Sequence, residues 1–429
     1  MNRPINAEID EARRILAATW ANLPEELKGP TQFLGRHYAG CGATIGAMPR
    51  CDFSCTACYL GEAANRMPTL PLDKVKAQIR ALRRWLGPNG NLQLTDGEIT
   101  LLSAAQLVEL IAYARSVGLV PMVMTHGETF RRRPGLLERL MTDGGLSEVC
   151  IHIDTTMRGR RDRYADAATE EDLNDLRAEF AAMIRTARRR TGLKLEVAST
   201  VTVTPQNIMD IPGIVRWFLA NADAFKMLSF QPVAAVGRTV SKFGSVTTDQ
   251  LWSRIAQGAN NPSLRRGEGW LGHPACGCFV QGLATRRKKG VALVPLYRRD
   301  DAGDMRLLRG LLDRMGGLSF RLDSRGRAAR KAAQVLKQNA PFLIRHGVPY
   351  LRRLLKRTGT LRARYFCIVS HHFMDRAEMA SSAGIERQAV CVFRVPINGR
   401  LEPMCAVNAK GMRARIYNTI EKTAAREAA

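Results

Sequence analysis

The 429-residue sequence contains no run of about 20 apolar residues, the length a membrane-spanning helix requires. Its first residues, MNRPINAEIDEARRILAATW, are charged throughout and lack the apolar core of a secretory leader. Acidic residues are scarce: 39 Asp and Glu against 65 Lys and Arg, a net charge of +26. Aromatic residues make up only 6%. These absences argue against an integral membrane protein and against a secreted, disulfide-built one. They leave a protein expected in a reducing cytoplasm, where ten cysteines point to metal ligation or catalysis rather than to cross-links. The scarcity of aromatics matters most in the basic region. From Arg286 to Arg364 there are 22 Lys and Arg and 5 Asp and Glu. With few rings to stack bases and no RNA-binding module, this stretch does not read as a specific nucleic-acid surface. A positive field of that size either attracts phosphates, on nucleic acid, an anionic membrane surface or a charged substrate, or is a solubilising surface. The membrane reading implies peripheral attachment at the inner membrane face.

What is present is an alternation. Residues 1–42 read as a helical extension, with Ile5, Ile9, Leu16 and Trp20 at helical spacing. Apolar strand-like runs follow at 43–49, 90–95, 119–124, 148–153, 194–203 and 225–231. Helical stretches lie between them, at 72–87, 103–117, 134–142, 169–191 and 209–221. Six such repeats predict an α/β fold, a partial (β/α)6 TIM-type barrel over residues 43–237 with its chemistry at the C-terminal strand ends. A doubly wound open sheet fits the same alternation. Residues 238–429 break the rhythm and read as a C-terminal region with a second metal site and a basic stretch that associates with membrane. Within it, 321–357 reads as basic amphipathic helices interrupted by Pro341, Gly347 and Pro349.

One more absence is local. The stretch CDFSCTAC places Cys51, Cys55 and Cys58 within eight residues, with no fourth cysteine close behind. Structural zinc takes four ligands, so zinc fits poorly. A redox pair at Cys55 and Cys58 leaves Cys51 without a role. Three thiolates at this spacing suit a 4Fe–4S cluster with one open iron. Following the next strand-like run, LTDGEITL offers Gly97, which admits close backbone approach, and Glu98, which can accept from an ammonium group.

Together these residues resemble the radical S-adenosylmethionine (SAM) superfamily. The CxxxCxxC loop matches at Cys51, Cys55 and Cys58, and the family's Gly-Gly-Glu-Pro segment stands here as Asp96-Gly97-Glu98-Ile99. The usual aromatic before the third cysteine is Ala57, with Tyr59 just after the cysteine. The resemblance spans residues 43–235. It implies that the open iron chelates the amino and carboxylate groups of SAM, and that one electron releases a 5′-deoxyadenosyl radical able to remove hydrogen from an unactivated carbon. It implies a low-potential electron donor such as flavodoxin or ferredoxin. Candidate SAM-binding residues are Tyr59, Asp96, Gly97 and Glu98. Later strand ends add His126, Asp154, Ser199 and Gln231. His126 and His152 also read as hydrogen-bonded structural histidines.

Cys276, Cys278, Cys367, Cys391 and Cys405 fall outside the barrel repeats. Five thiols without His pairs favour a second metal site, an auxiliary 4Fe–4S cluster, with the choice of four ligands open. The stretches FQPVAAVGR, HHFMD and ERQAVCVFRVPINGRLEPMCAVNA are similar to the branch that holds archaeal tetraether lipid synthases and methylases acting on a pterin. Members of that branch carry extra clusters. The expected activity is therefore that of an oxidoreductase or transferase in lipid biosynthesis, acting on a membrane lipid or acyl chain. C-methylation of a pterin-like heterocycle and RNA modification are the alternatives.

Overall fold

The computed structural model describes residues 4–239, 243–264, 266–288 and 290–419. Its strands are β1 (Cys41–Ala43), β2 (Gly90–Leu94), β3 (Leu119–Thr125), β4 (Glu148–His152), β5 (Glu196–Val203) and β6 (Met227–Pro232). The C-terminal half adds β7 (Gly269–Trp270), β8 (Gly277–Arg287), β9 (Gly290–Pro295), β10 (Arg364–His371), β11 (Phe393–Ile397) and β12 (Arg400–Pro403). They form one sheet in the order β12-β11-β1-β2-β3-β4-β5-β6-β10-β8-β7, with β9 beside β8. From β11 to β10 every pairing is parallel, and β12, β8, β7 and β9 attach antiparallel. The path ends at β12 and β7, which share no pairing among the described residues, so the barrel is partial.

Strand alternation decides which side chains face outward. Leu92, Leu94, Val123, Val149, Ile151, Val197, Leu228 and Phe230 pack in one apolar cluster with residues of the covering helices. The helix Leu72–Leu86 shows how its sequence builds that layer: Val75, Ile79, Leu82 and Leu86 recur at helical spacing and are all buried. Each such side chain contributes roughly 1.5–3 kcal/mol on burial. The helix Ala104–Ser116 starts at a capping box in which the Ser103 hydroxyl accepts from Gln106 N. The opposite face of the sheet is the lumen. There Met122, Met124, Met227 and Gln231 are only partly buried.

Two sequence expectations meet the structure in instructive ways. The first strand is short, Cys41–Ala43, because Gly46 and Pro49 turn the chain into a loop rather than continuing the ladder. In the basic region, Pro341 is accommodated inside the helix Arg325–Phe342. A π-turn, Leu343–Gly347, takes up the misfit, and Pro349 sits in the first turn of Val348–Thr358, where no backbone N–H is needed. The interruptions therefore divide the stretch into two α-helices joined by one π-turn. Glu8, from the N-terminal helix Ile5–Ala21, docks the first of them through Arg327 at 2.7 Å and Lys331 at 3.0 Å. Among the described residues no helix is long and apolar enough to cross a membrane.

Candidate functional site

The three-cysteine loop follows β1 and is braced by the loops after β2, β4 and β6. After β2, Gly97 N donates to Met48 O and Glu98 N to Arg50 O, each at 2.8 Å. A Cβ on Gly97 would lie 2.2 Å from the Arg50 carbonyl oxygen and 2.5 Å from that of Pro49, so only glycine fits. After β4, the carbonyls of Arg158 and Thr156 accept from Ser54 N at 2.8 Å and Thr56 N at 2.9 Å. After β6, Gly237 has φ +61°, and a Cβ there would meet the Tyr59 backbone at 2.3 Å. The next residue, Arg238, donates its N–H to Cys58 O at 2.9 Å. Gly97→Ala should therefore displace the loop, and an ångström-scale misplacement costs about a hundredfold in rate. The check is SAM cleavage beside a circular dichroism spectrum, which should stay that of a folded chain.

Burial raises the thiols of Cys51 and Cys55, the latter to about 12, so in the free protein they are protonated. A bound cluster would deprotonate them. The chain supplies a matching cation. Arg238 Nη2 lies 3.5 Å from Cys58 Sγ, and its buried Nε has no hydrogen-bond partner among the described residues. Burial opposes charge on this guanidinium, yet the three sulfurs beside it raise its pKa. A positive group held against the Cys58 sulfur, with a donor unmet, suits an anionic thiolate cluster.

Glu98 is buried and oriented by a set of donors. Its carboxylate accepts from Thr100 N at 3.1 Å, the Thr100 hydroxyl, the Thr125 hydroxyl at 2.6 Å and His126 N at 2.9 Å. His126 Nδ1 accepts from Glu128 N at 3.1 Å, so the ring proton sits on Nε2, which donates to Asp52 at 2.8 Å. Cys51, Asp52 and His126 bring ligand atoms within 4.8 Å of one another. Both His126 nitrogens are already engaged, however, which leaves no lone pair for a metal. Burial pushes the Asp52 carboxyl up, but His126 and Arg132 outweigh it and hold it well below the usual range. Phe53 stacks on His126 with ring centroids 3.9 Å apart, and Arg160 lies 5.3 Å from the Phe53 ring.

Asp96 has a different occupation. Its carboxylate accepts from Gly46 N, from the Tyr417 hydroxyl at 2.6 Å and from Arg413. Tyr59 donates its hydroxyl to the Asp96 carbonyl at 2.7 Å, under the Arg413 guanidinium at 4.9 Å. Burial disfavours the Arg413 charge, but Asp96 raises its pKa well above the ordinary value. Thus Asp96 and Tyr59 anchor the helix over 412–419 against the loop.

Of the other strand-end candidates, Asp154 accepts from Thr156 N, the Thr156 hydroxyl and Thr202 N, and pairs with His152 at 2.6 Å. Burial raises this carboxyl, and His152 with these donors brings it below the usual range. Ser199 faces the helix layer and donates to Ile151 O at 2.9 Å, whereas Gln231 faces the lumen. Sequence reasoning did not single out Arg238, Gly237, Phe53, Arg160 or Arg413. The Asp-Phe pair inside the cysteine loop and the VGR after β6 were the available signals.

The C-terminal cysteines divide by position. Arg387 Nε donates to Cys276 Sγ at 3.1 Å, Met374 N to Cys405 Sγ at 3.4 Å, and Cys391 Sγ to Phe393 O at 3.2 Å; among the described residues these three sulfurs do not all lie within 4.8 Å of one another. Cys278 belongs to the sheet–helix core. Cys367 lies in the lumen, packed at the edge of a cluster with Phe33, Phe279 and Tyr297.

No family model matches the chain. A curated relative is 7,8-dihydro-6-hydroxymethylpterin dimethyltransferase from Methanocaldococcus jannaschii, 24% identical over 201 residues, or 47% of this chain and 38% of that protein. The chain thus matches well under half of that relative's length. Among solved structures, SuiB from Streptococcus suis has a TM-score of 0.36 at 14% identity, over 50% of this chain and 44% of that one. HydG from Carboxydothermus hydrogenoformans has 0.35 at 12%, over 59% and 55%. The structure of anSMEcpe with bound AdoMet has 0.33 at 12%, over 44% and 50%. Scores this low carry no argument here. The chain is thus similar to a pterin dimethyltransferase over 201 residues, and its braced CxxxCxxC loop at Cys51, Cys55 and Cys58 resembles that of the radical SAM superfamily.

Proposed function

We propose that the protein reductively cleaves SAM and removes hydrogen from an unactivated carbon of a lipid hydrocarbon chain. The observation that carries the chemistry is the three-thiol loop held by Gly97 and Gly237 with Arg238 against the Cys58 sulfur. Cys51, Cys55 and Cys58 would hold a 4Fe–4S cluster, and when bound, cluster and SAM supply a 5′-deoxyadenosyl radical. The chain's own part is positional. Glu98, fixed by Thr100, Thr125 and His126, presents an anionic edge at the mouth, and Arg238 balances the thiolates. Met122 and Met124, partly buried on the lumen face, offer flexible, apolar thioethers suited to an extended chain. Cys276, Cys391 and Cys405 are the proposed ligands of an auxiliary 4Fe–4S cluster, with Arg387 donating to one sulfur. A flavodoxin or ferredoxin would deliver the electron, and an anionic bilayer would present the lipid.

The relative's name favours a second reading, C-methylation of a pterin-like heterocycle. One experiment separates the two. Anaerobically reconstituted protein is given SAM, a low-potential reductant and either chain-deuterated phospholipid or a deuterated pterin. Deuterium in 5′-deoxyadenosine from the phospholipid supports the lipid reading. Deuterium only from the pterin, or a pterin gaining a methyl group, replaces it with the second. No 5′-deoxyadenosine from a fully loaded protein overturns both.

A further inference from the structure

The rod from Arg325 to Thr358 turns a mixed face to solvent. Leu336, Ile344, Val348, Leu351 and Leu355 are 57%, 68%, 45%, 52% and 39% exposed, and beyond the π-turn their spacing is that of one helical face. Five large aliphatic side chains left in water along one rod, three of them on one face, are not what a solvated helix needs.

The cations of the same rod sort by direction. Those pointing inward have partners: Arg327 and Lys331 with Glu8 and Asp323, and Arg353 and Arg357 with the fully buried Asp304 at 3.4 and 2.8 Å. Those pointing outward, Arg330, Lys337, Arg345, Arg352 and Lys356, are exposed and have no acidic group within 4.0 Å among the described residues. No Asp or Glu occurs anywhere from Ser324 to Met374. The outward face therefore combines unpaired positive charge with unburied hydrocarbon, while the charges that stabilise the rod are on its other side.

We infer that this face docks on an anionic phospholipid bilayer, lying in the headgroup layer with Ile344, Val348 and Leu351 reaching the acyl boundary. An interfacial helix needs both an apolar face and flanking cations. A polyanion such as RNA would use the arginines but has no use for five exposed aliphatics. A second copy of this chain would bring the same positive charge against itself. The inference extends the lipid reading of the site but is tested apart from it, without SAM or reductant.

The full chain is sedimented with vesicles of neutral phosphatidylcholine and with vesicles containing phosphatidylglycerol. Binding to the anionic vesicles alone is expected. Each cation in the headgroup layer changes partitioning about fivefold, so Arg345→Glu with Arg352→Glu should weaken it at least about thirtyfold. Ile344→Ser with Leu351→Ser should weaken it by a similar factor while leaving any RNA binding unchanged. All four positions are exposed, so both variants should unfold at the wild-type denaturant midpoint. Loss of vesicle binding in both variants supports the inference. Binding that ignores the serine variant marks a mere polyanion surface and overturns it, as does absence of binding to anionic vesicles. Concentration-dependent self-association abolished by the serine variant, in place of vesicle binding, also overturns it. Vesicle binding without deuterium transfer from lipid would sink the substrate reading alone.

Discussion

The Cys55→Ala protein is expected to be folded and stable, to bind little iron on reconstitution, and to release no 5′-deoxyadenosine above background. Stability should survive because the loop is held by backbone. Ser54 and Thr56 donate to the loop after β4, and Arg50 accepts from Glu98. None of these bonds involves the Cys55 side chain, which is half-buried and belongs to no apolar cluster. A substitution of that kind usually changes stability by less than about 0.5 kcal/mol. Activity should not survive, because a three-ligand site has no spare ligand. Cys150→Ala is the control: that thiol is buried in β4, against the Thr200 hydroxyl at 3.1 Å, and its removal should leave SAM cleavage intact. Iron content and nucleoside release measured side by side decide the matter. Wild-type nucleoside release from Cys55→Ala would end the assignment of the loop.

The second large effect is on stability. Arg413→Met should destabilise the protein by roughly 3–5 kcal/mol, because it leaves the Asp96 carboxylate buried without its counter-charge. Asp96 sits inside the turn that braces the cysteine loop, so the damage is local to the site. Arg413→Met with Asp96→Asn removes both charges and should recover much of the loss, the amide oxygen still accepting from Gly46 or Tyr417. The coupling is read by a double-mutant cycle of urea unfolding. A cost below about 1 kcal/mol for Arg413→Met alone would mean the pair is not the anchor described here.

These two predictions also show what a sequence discloses. The cysteine loop was legible as a pattern because its spacing is local: three thiols within eight residues stay together in any fold. The covering helices were legible for the same reason, as Val75, Ile79, Leu82 and Leu86 carry their own period. Asp96 was legible as a position in a motif, but not as half of an ion pair with Arg413, more than 300 residues away. Periodicity carries no information about such a partner. The C-terminal thiols needed the sheet before they could be sorted, since Cys276 and Cys278 are two residues apart yet only Cys278 enters the core cluster. The proline reading of the basic stretch located the break between its two α-helices, and the structure shows how the break is made. Pro341 breaks the regular ladder of backbone bonds, and the π-turn that follows its helix absorbs the misfit.

The position of β11 beside β1 has a consequence for biosynthesis. Cys41 pairs with Phe393, so the strand that carries the cysteine loop leaves the ribosome about 350 residues before its outer neighbour. At translation rates of about 5–20 residues per second, β1 waits roughly 20–70 s with one edge unpaired. During that interval the loop is flanked by open backbone donors and acceptors, the kind of edge that other chains add to. The nascent chain therefore has a window in which aggregation competes with completion of the fold.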